Sequence, residues 1–184
     1  MLQQLLALLL LAGVTAGAAA DDWKVLQKTG GVVLLRHMQT EPGVGDPPEF
    51  NVHDCATQRN LDQRGRLAAR QMGERFRAAG IKPVRVGSSA WCRCRDSATL
   101  AFGGHEVLPA LNSFFGNSEH AGAQTTMLKQ LIATRLAGQT WVLVTHQVNI
   151  TALTGVTLAM GEAVIVTASP DGGIRVTGRI AGSN

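Results

Sequence analysis

Two short apolar runs constrain the fold of this chain more than any other feature of its sequence. Residues 31–35 read GVVLL and residues 141–145 read WVLVT, with hardly a polar residue to separate one face from the other. Runs of this kind are typical of strands that are covered on both faces, as in parallel sheets. Helix-like segments alternate with strand-like ones around them, so the sequence predicts an α/β domain with a mostly parallel central sheet.

The other elements follow the same alternation. Asp62 is placed to cap a helix that runs to Ala79 and stops at Gly80, because a short polar acceptor suits a helix start and glycine suits a helix end. A later helix over residues 124–136 should turn four apolar residues inward: Met127, Leu128, Leu131 and Ile132. The remaining predicted elements are strand 83–88, helix 91–102, a helix from about residue 149, and a terminal hairpin of strands 163–168 and 174–180.

The first twenty residues predict an export signal. They carry no charged side chain, run apolar from Leu5 and close on three alanines, after which the acidic Asp21 follows. Small residues before the cut are typical of a secretory signal peptide, so we expect residues 1–20 to be removed and residues 21–184 to form one secreted or periplasmic domain. The apolar run is short for a bilayer span, which indicates no stable membrane insertion after cleavage; a retained anchor is the alternative.

Export changes how the three cysteines are interpreted. Cys55, Cys92 and Cys94 would meet an oxidising compartment, where neighbouring thiols pair, so we expect a disulfide from Cys55 to either Cys92 or Cys94. Plain reduced thiols are one alternative. A metal site made of the three cysteines and His53 is another, but its spacing fits no common zinc module, and we expect no metal site.

The basic charge of the chain first suggests a polyanion partner. Its formal net charge is +4, yet aromatic residues make up only 4% and tyrosine is absent, which disfavours a protein that stacks nucleic-acid bases. We therefore expect no nucleic-acid partner. The excess is local, because residues 59–95 hold nine arginines and one lysine against two acidic residues, a net charge of +8. Such a surface can steer small anionic substrates toward a site.

Polar side chains gather where the predicted strands end. Arg36 and His37 follow the first strand, Arg93 follows the second, and His146 follows the third. Ligands of open parallel sheets bind outside the carboxyl ends of the strands, so these side chains are expected to share one pocket. Arginines bind phosphate with a fixed fork of donors, and an unprotonated histidine can attack phosphorus.

Four sequence elements, in the right order, resemble the histidine phosphatase superfamily and its phosphoglycerate mutase-like fold. The family's R-H-G-x-T opening stands here as residues 36–40, RHMQT, with Met38 in place of glycine. Its helix start L-T-x-x-G-x-x-Q-A is similar to residues 61–69, and its S-S-x-x-x-R-x-x-x-T-A element is similar to residues 88–98. The apolar strand that ends in histidine matches VLVTH, which closes at His146.

The resemblance implies both an architecture and a set of site residues. It implies three layers, with helices on both faces of the mostly parallel sheet. His37 corresponds to the nucleophile that becomes phosphorylated in the family, and Arg36, Arg93 and His146 correspond to its phosphate pocket. This chemistry requires no metal and no other cofactor. Arg59, in the polar loop before the helix that Asp62 caps, is a candidate for a further contact to phosphate or substrate.

The chain departs from the family at the proton donor for the leaving group. Many members carry a glutamate in a stretch resembling L-x-E, whereas residues 111–113 read LNS here. Another branch uses a His-Asp pair, but His146 is followed by Gln147. If no other acid serves, the preferred substrates should have good leaving groups. The acidic candidates for this role are Glu119, Asp46 and Glu41.

These observations predict an exported, metal-independent phosphatase that hydrolyses a phosphomonoester through a phosphohistidine. Its partner would be a small phosphorylated substrate or an envelope phosphoglycan. The alternative is a catalytically weak or inactive phosphate- or phosphoglycan-binding module of the same fold, which the missing acid makes credible. Histidines without a surrounding motif are expected at the surface; they are His53, His105 and His120.

Overall fold

The structure, a computed structural model, describes residues 21–183. The predicted signal peptide, residues 1–20, lies outside the described residues. Within the described part of the chain, no helix combines the length and the apolar character that a bilayer crossing requires. The helices there are α1 (Trp23–Thr29), α2 (Gln63–Ala78), α3 (Cys92–Phe102), α4 (Ala121–Ala133) and α5 (Gln147–Thr154), with short 3₁₀ turns in the loops.

One mixed sheet forms the centre of the domain. Its strands are β1 (Gly31–Arg36), β2 (Arg85–Ser88), β3 (Glu106–Val107), β4 (Thr140–Thr145), β5 (Ala163–Ala168) and β6 (Ile174–Ile180). The strand order is β3-β2-β4-β1-β5-β6. The pairs from β3 to β1 are parallel, whereas β5 is antiparallel to β1 and to β6. The prediction of a mostly parallel sheet is confirmed.

Both faces of the sheet are buried, which makes three layers. Val33 and Leu35 of β1 point to one face and pack in a cluster with Met72 and Phe76 of α2. Their neighbours on the strand point to the opposite face, where Leu34 packs in a second cluster with residues of α4 and α5. Side chains of a strand alternate between faces, so an unbroken apolar run serves both clusters. The expected three-layer α/β/α architecture is confirmed.

Local sequence signals predicted the positions of most helices and strands correctly. Asp62 caps α2 as predicted, because its Oδ1 accepts a hydrogen bond of 2.6 Å from the backbone N–H of Gly65. Gly80, just past the end of α2, has φ of 68°, a conformation that glycine adopts without strain. The stretch 103–120, which lacks periodicity, contains only the two-residue strand β3 and short 3₁₀ turns.

The inward face of α4 differs from the prediction. Met127 is 46% exposed, and Leu131 is only half-buried, whereas Leu128 and Ile132 are fully inside. Gln124 completes the buried stripe, four residues before Leu128. Its amide donates to the side-chain oxygen of Asn149 at 3.0 Å, so a polar residue takes a position on the buried face. The prediction of Met127 as an inward residue was wrong because it treated apolar residues alone as markers of burial.

A disulfide joins the polar loop to the start of α3. Cys55 pairs with Cys92, with their Cα atoms 5.7 Å apart, and Cys94 is buried and unpaired. Of the two predicted pairings, the structure therefore contains the one with Cys92. The bond closes a loop of 37 residues, which in the chain-entropy model stabilises the fold by about 4 kcal/mol. Because the sulfurs of Cys55 and Cys92 are bonded to each other, neither is a thiolate that could bind a metal together with Cys94 and His53.

A methyl group at Gly73 tests how closely α2 packs on α3. A Cβ there would lie 2.0 Å from the backbone oxygen of Ala101. Because the helices must shift to admit it, we expect Gly73→Ala to lower the free energy of unfolding by about 1–3 kcal/mol. Urea unfolding measures this change. The control is Gly122→Ala on α4, where the new Cβ meets nothing within 4 Å; it should leave stability unchanged or raise it by up to about 1 kcal/mol. Equal effects of both variants would contradict the close approach.

Candidate active site

A cavity of about 760 Å³ opens at the carboxyl ends of the central strands. Arg36 and His37 reach it from the end of β1, Arg93 from the first turn of α3 after β2, and His146 from the residue after β4. These three strands are neighbours in the order β2-β4-β1. The structure thus brings together the four residues that the sequence singled out.

The ring of His37 is held with one nitrogen free. The side chain is buried, and its Nδ1 lies 2.9 Å from the backbone oxygen of Met38. Because a carbonyl oxygen only accepts hydrogen bonds, Nδ1 carries the proton and Nε2 keeps its lone pair. Burial, together with the charge of Arg93, lowers the pKa of His37 to about 3. The imidazole is therefore neutral near neutral pH and can act as a nucleophile through Nε2.

His146 is the second imidazole of the cavity, and its Nε2 is in contact with two side chains. Its Nε2 lies 2.9 Å from the hydroxyl oxygen of Ser89 and 3.5 Å from the sulfur of Cys94. Ser89 Oγ also lies 3.4 Å from the side-chain oxygen of Asn112, to which it donates, so a small cluster of polar side chains holds the ring of His146 at Nε2. Burial and the neighbouring His37 lower the pKa of His146 well below its ordinary value, so this ring is also neutral. The two rings are 5.4 Å apart between centroids, so both can contact the same group in the cavity.

Two guanidinium groups in the cavity have unused donors. Arg36 donates from Nη1 to the backbone oxygen of Leu158 at 2.5 Å, and Arg93 is only 4% exposed. The Nε atoms of both arginines are buried and have no hydrogen-bond partner. An unpaired buried N–H of a charged group is costly, so the positive charge of both side chains favours an anion in the adjacent cavity. A phosphoryl oxygen fits this requirement in charge and geometry.

Asp46 is the ion-pair partner of Arg93. Its two carboxylate oxygens accept from Nη1 and Nη2 of Arg93 at 2.7 and 3.1 Å, with the side chains 7% and 5% exposed. The backbone N–H of Arg59 and the indole N–H of Trp91 complete the ring of donors, at 3.0 and 2.9 Å. Burial alone would raise the pKa of Asp46, but the hydrogen bonds and charge of Arg93 lower it overall.

Arg59 also reaches the cavity, as a third guanidinium group in its lining. Its Nε donates to the backbone oxygen of Gly45 at 2.8 Å, and its Nη1 donates to the hydroxyl of Thr40. Burial and the nearby charge of Arg93 lower the pKa of Arg59. These contacts fix the loop that precedes α2 and bring its positive charge to the ligand space.

The other candidates from the sequence lie elsewhere. Glu41 and Glu119 are exposed and do not line the cavity, so Asp46 alone among the three predicted acids reaches it. His53 and His120 are exposed, as expected for surface histidines. His105 is half-buried instead, with its Nδ1 3.1 Å from the hydroxyl of Thr99, and it too lies outside the cavity lining.

Sequence reasoning missed an aromatic wall. Phe50, Trp91 and Phe115 all line the cavity. The ring of Trp91 lies 5.8 Å from that of Phe50 and 5.4 Å from that of His146, between centroids. Aromatic residues make up only 4% of the chain, so their presence in polar loops beside motif residues was a usable signal. The wall gives the cavity an apolar side that can cover the organic part of a ligand.

Because His37 is buried in its neutral form, the free energy of unfolding should depend on pH. The unfolded chain binds this proton near pH 6.5 and the folded chain only near pH 3, so the unfolded state holds more protons between these values. The free energy of unfolding should therefore fall as pH drops below 6.5, by about 1.4 kcal/mol per pH unit for this residue. Urea unfolding across this range measures the slope. His37→Gln removes the titrating group and should make this slope shallower. Ser113→Ala removes a side chain of the same cavity that does not titrate, and it should leave the slope unchanged. An unchanged slope in His37→Gln would contradict the neutral state.

Solved structures share this architecture at low sequence identity. The protein histidine phosphatase SixA bound to tungstate aligns with a TM-score of 0.58 and 17% identity, over 82% of this chain and 96% of that one. A mycobacterial glucosyl-3-phosphoglycerate phosphatase gives 0.61 and 16%, over 85% and 100%. A phosphoserine phosphatase from Entamoeba histolytica gives 0.56 and 13%, over 82% and 96%. No protein-family model and no curated protein matches the sequence. The chain therefore has the fold of the phosphoglycerate mutase-like histidine phosphatases.

Proposed function

We propose that this chain is an exported phosphatase that hydrolyses a phosphomonoester through a phosphohistidine, without a metal. One observation carries the proposal. His37 is buried and neutral with Nε2 unprotonated, in a cavity that the guanidinium groups of Arg36, Arg59 and Arg93 also line. A nucleophile beside guanidinium groups that can bind an anion is the arrangement that phosphoryl transfer to the protein requires.

The reaction follows from these positions. Arg36, Arg59 and Arg93 hold the phosphoryl oxygens, and His37 Nε2 attacks phosphorus as the bond to the ester oxygen breaks. His146 donates its Nδ1 proton in a hydrogen bond to a phosphoryl oxygen, where negative charge is held through the transition state. Water then attacks the phosphohistidine and releases phosphate, which restores His37.

The arginines supply the positive charge that a metal ion gives to other phosphatases. Arg36, Arg59 and Arg93 line one cavity, and Asp46 neutralises only one of them. In residues 21–183, no group of three or more histidine, cysteine or acidic side chains is arranged to hold a metal. Phosphoryl transfer that relies on fixed guanidinium groups needs no further electrophile.

The cavity is much larger than a phosphate group, so the organic part of the substrate also fits inside. Its aromatic wall of Phe50, Trp91 and Phe115 suits a small molecule with an apolar face. Among the structural neighbours, one acts on glucosyl-3-phosphoglycerate and another is a protein histidine phosphatase. We therefore propose a small phosphorylated substrate, with an envelope phosphoglycan as the second candidate and no nucleic-acid partner.

The phosphohistidine route predicts how activity responds to mutation and to chelation. The purified chain should hydrolyse 4-nitrophenyl phosphate in the presence of EDTA, and His37→Ala should lower kcat/KM by about 10³-fold or more, because the nucleophile is gone. Steady-state kinetics measure this loss. His120→Ala, on the exposed surface away from the cavity, is the matched control and should keep the wild-type rate.

Three results would count against this mechanism. Activity that survives in His37→Ala would remove the phosphohistidine. Activity that EDTA abolishes would require a metal. Phosphate binding in calorimetry, with no release of phosphate from any ester over hours, would favour the binding module over the enzyme.

Export is a separate part of the proposal, and it rests on the leader in residues 1–20. Expression in a bacterium with a periplasm should place the protein in the periplasmic fraction, with a new N-terminus at Asp21, because the alanines before it suit the signal peptidase. Cell fractionation and N-terminal sequencing measure this. A protein that keeps residues 1–20 and stays with the membrane would support the retained anchor instead.

A further inference from the structure

Asp46 is the single carboxylate among the residues that line the cavity in the described part of the chain. Both of its oxygens already accept hydrogen bonds. Its oxygens accept from both Nη atoms of Arg93, from the backbone of Arg59 and from the indole of Trp91. Exposed fractions of 5% for Arg93 and 7% for Asp46 leave little water to replace any of these partners. If Asp46 left this pair, the guanidinium charge of Arg93 would remain buried without a counter-ion, which is strongly unfavourable.

This bonding makes Asp46 an unsuitable proton donor for a leaving group. A carboxylate that accepts four hydrogen bonds, two of them from an arginine, is held in its ionised form. The pKa of Asp46 is correspondingly lowered overall, although burial opposes the shift. The structure thus assigns Asp46 as a positioning residue that orients Arg93 in the wall of the cavity.

No other group that lines the cavity can serve as the proton donor for a leaving group. The one N–H of neutral His37 is bonded to the Met38 carbonyl, and the buried ring of His146 is neutral, a form that does not release its N–H proton. The remaining titratable groups that line the cavity within residues 21–183 are Arg36, Arg59 and Arg93, which stay protonated in proteins. The exposed Glu41 and Glu119 lie outside the cavity.

We propose that the pocket acts on phosphoryl groups whose leaving group departs without a proton from the protein. Phenols and carboxylic acids are such leaving groups, whereas aliphatic alcohols and sugar hydroxyls are not. This inference rests on the proposed phosphatase function and narrows it to aryl and acyl phosphates, which sets the phosphoglycan aside.

The chemical step balances without an acid. His37 Nε2 forms the bond to phosphorus, and the bond from phosphorus to the leaving oxygen breaks. The electron pair of that bond stays on the leaving oxygen as phenolate or carboxylate. The anion then takes its proton from water after it leaves the cavity.

A leaving-group series on the unmodified full chain tests the inference. The substrates are 4-nitrophenyl, phenyl and benzyl phosphate, which all keep a ring against the aromatic wall while the proton affinity of the leaving oxygen rises. The measured quantity is kcat/KM, since it reports formation of the phosphohistidine, whereas its hydrolysis is common to all three. Because a general acid contributes about 10²–10⁴-fold, we expect kcat/KM to fall by at least about 10²-fold from 4-nitrophenyl to benzyl phosphate.

The outcomes separate this inference from the proposed function. Benzyl phosphate that reacts as fast as 4-nitrophenyl phosphate would overturn the inference and leave the phosphatase intact. Failure to hydrolyse any of the three, or rates that do not depend on His37, would overturn the proposed function and the inference with it.

Asp46→Asn provides a second test that the series alone does not give. If Asp46 orients Arg93, the variant should lower kcat/KM by a similar factor for all three substrates. A loss confined to benzyl phosphate, with 4-nitrophenyl phosphate unaffected, would identify Asp46 as the proton donor and overturn the inference. Glu49→Gln is the matched control, because it removes one exposed charge from the same loop outside the cavity lining, and it should leave all three rates unchanged.

Discussion

The buried ion pair between Arg93 and Asp46 is the interaction on which the rest of the site depends. The guanidinium charge of Arg93 helps to keep His37 neutral, and so preserves the lone pair on its Nε2. A single positive charge at this depth would be costly, and Asp46 offsets it with two hydrogen bonds. Arg59 and Trp91 then hold Asp46, so the pair connects the polar loop, α3 and the nucleophile in one arrangement.

The sheet order explains why so few residues are needed to build the site. β2, β4 and β1 are neighbours and run parallel, so their carboxyl ends lie along one edge of the sheet. The residues that follow these strands are therefore brought together by backbone pairing. The register of β1 against β4 places Arg36 opposite Thr145, which puts His37 and His146 one residue beyond, on adjacent strands. Precision in the site thus comes from the most buried part of the fold.

The sequence was sufficient where a local signal and the tertiary structure agree. The unbroken apolar run of β1 predicted burial on both faces, and Asp62 predicted the start of α2, because each signal depends on neighbours along the chain. The sequence was insufficient where contacts between residues far apart along the chain determine the structure. Met127 is exposed because the buried stripe of α4 includes the polar Gln124, whose amide finds a partner on α5. The partner of Cys55 and the ion pair of Asp46 likewise depend on how the loop folds back over α3, which spacing alone does not specify.

The disulfide tethers the carboxylate of Asp46 close to the guanidinium group that it neutralises. Cys55 lies in the same loop as Asp46, and Cys92 directly precedes Arg93, so the bond joins the two segments that carry the ion pair. A tethered group acts at an effective concentration that a free ion reaches only at millimolar levels or above. A phosphate in solution therefore competes poorly for the Nη atoms of Arg93. The counter-ion of Arg93 is thus a fixed part of the protein.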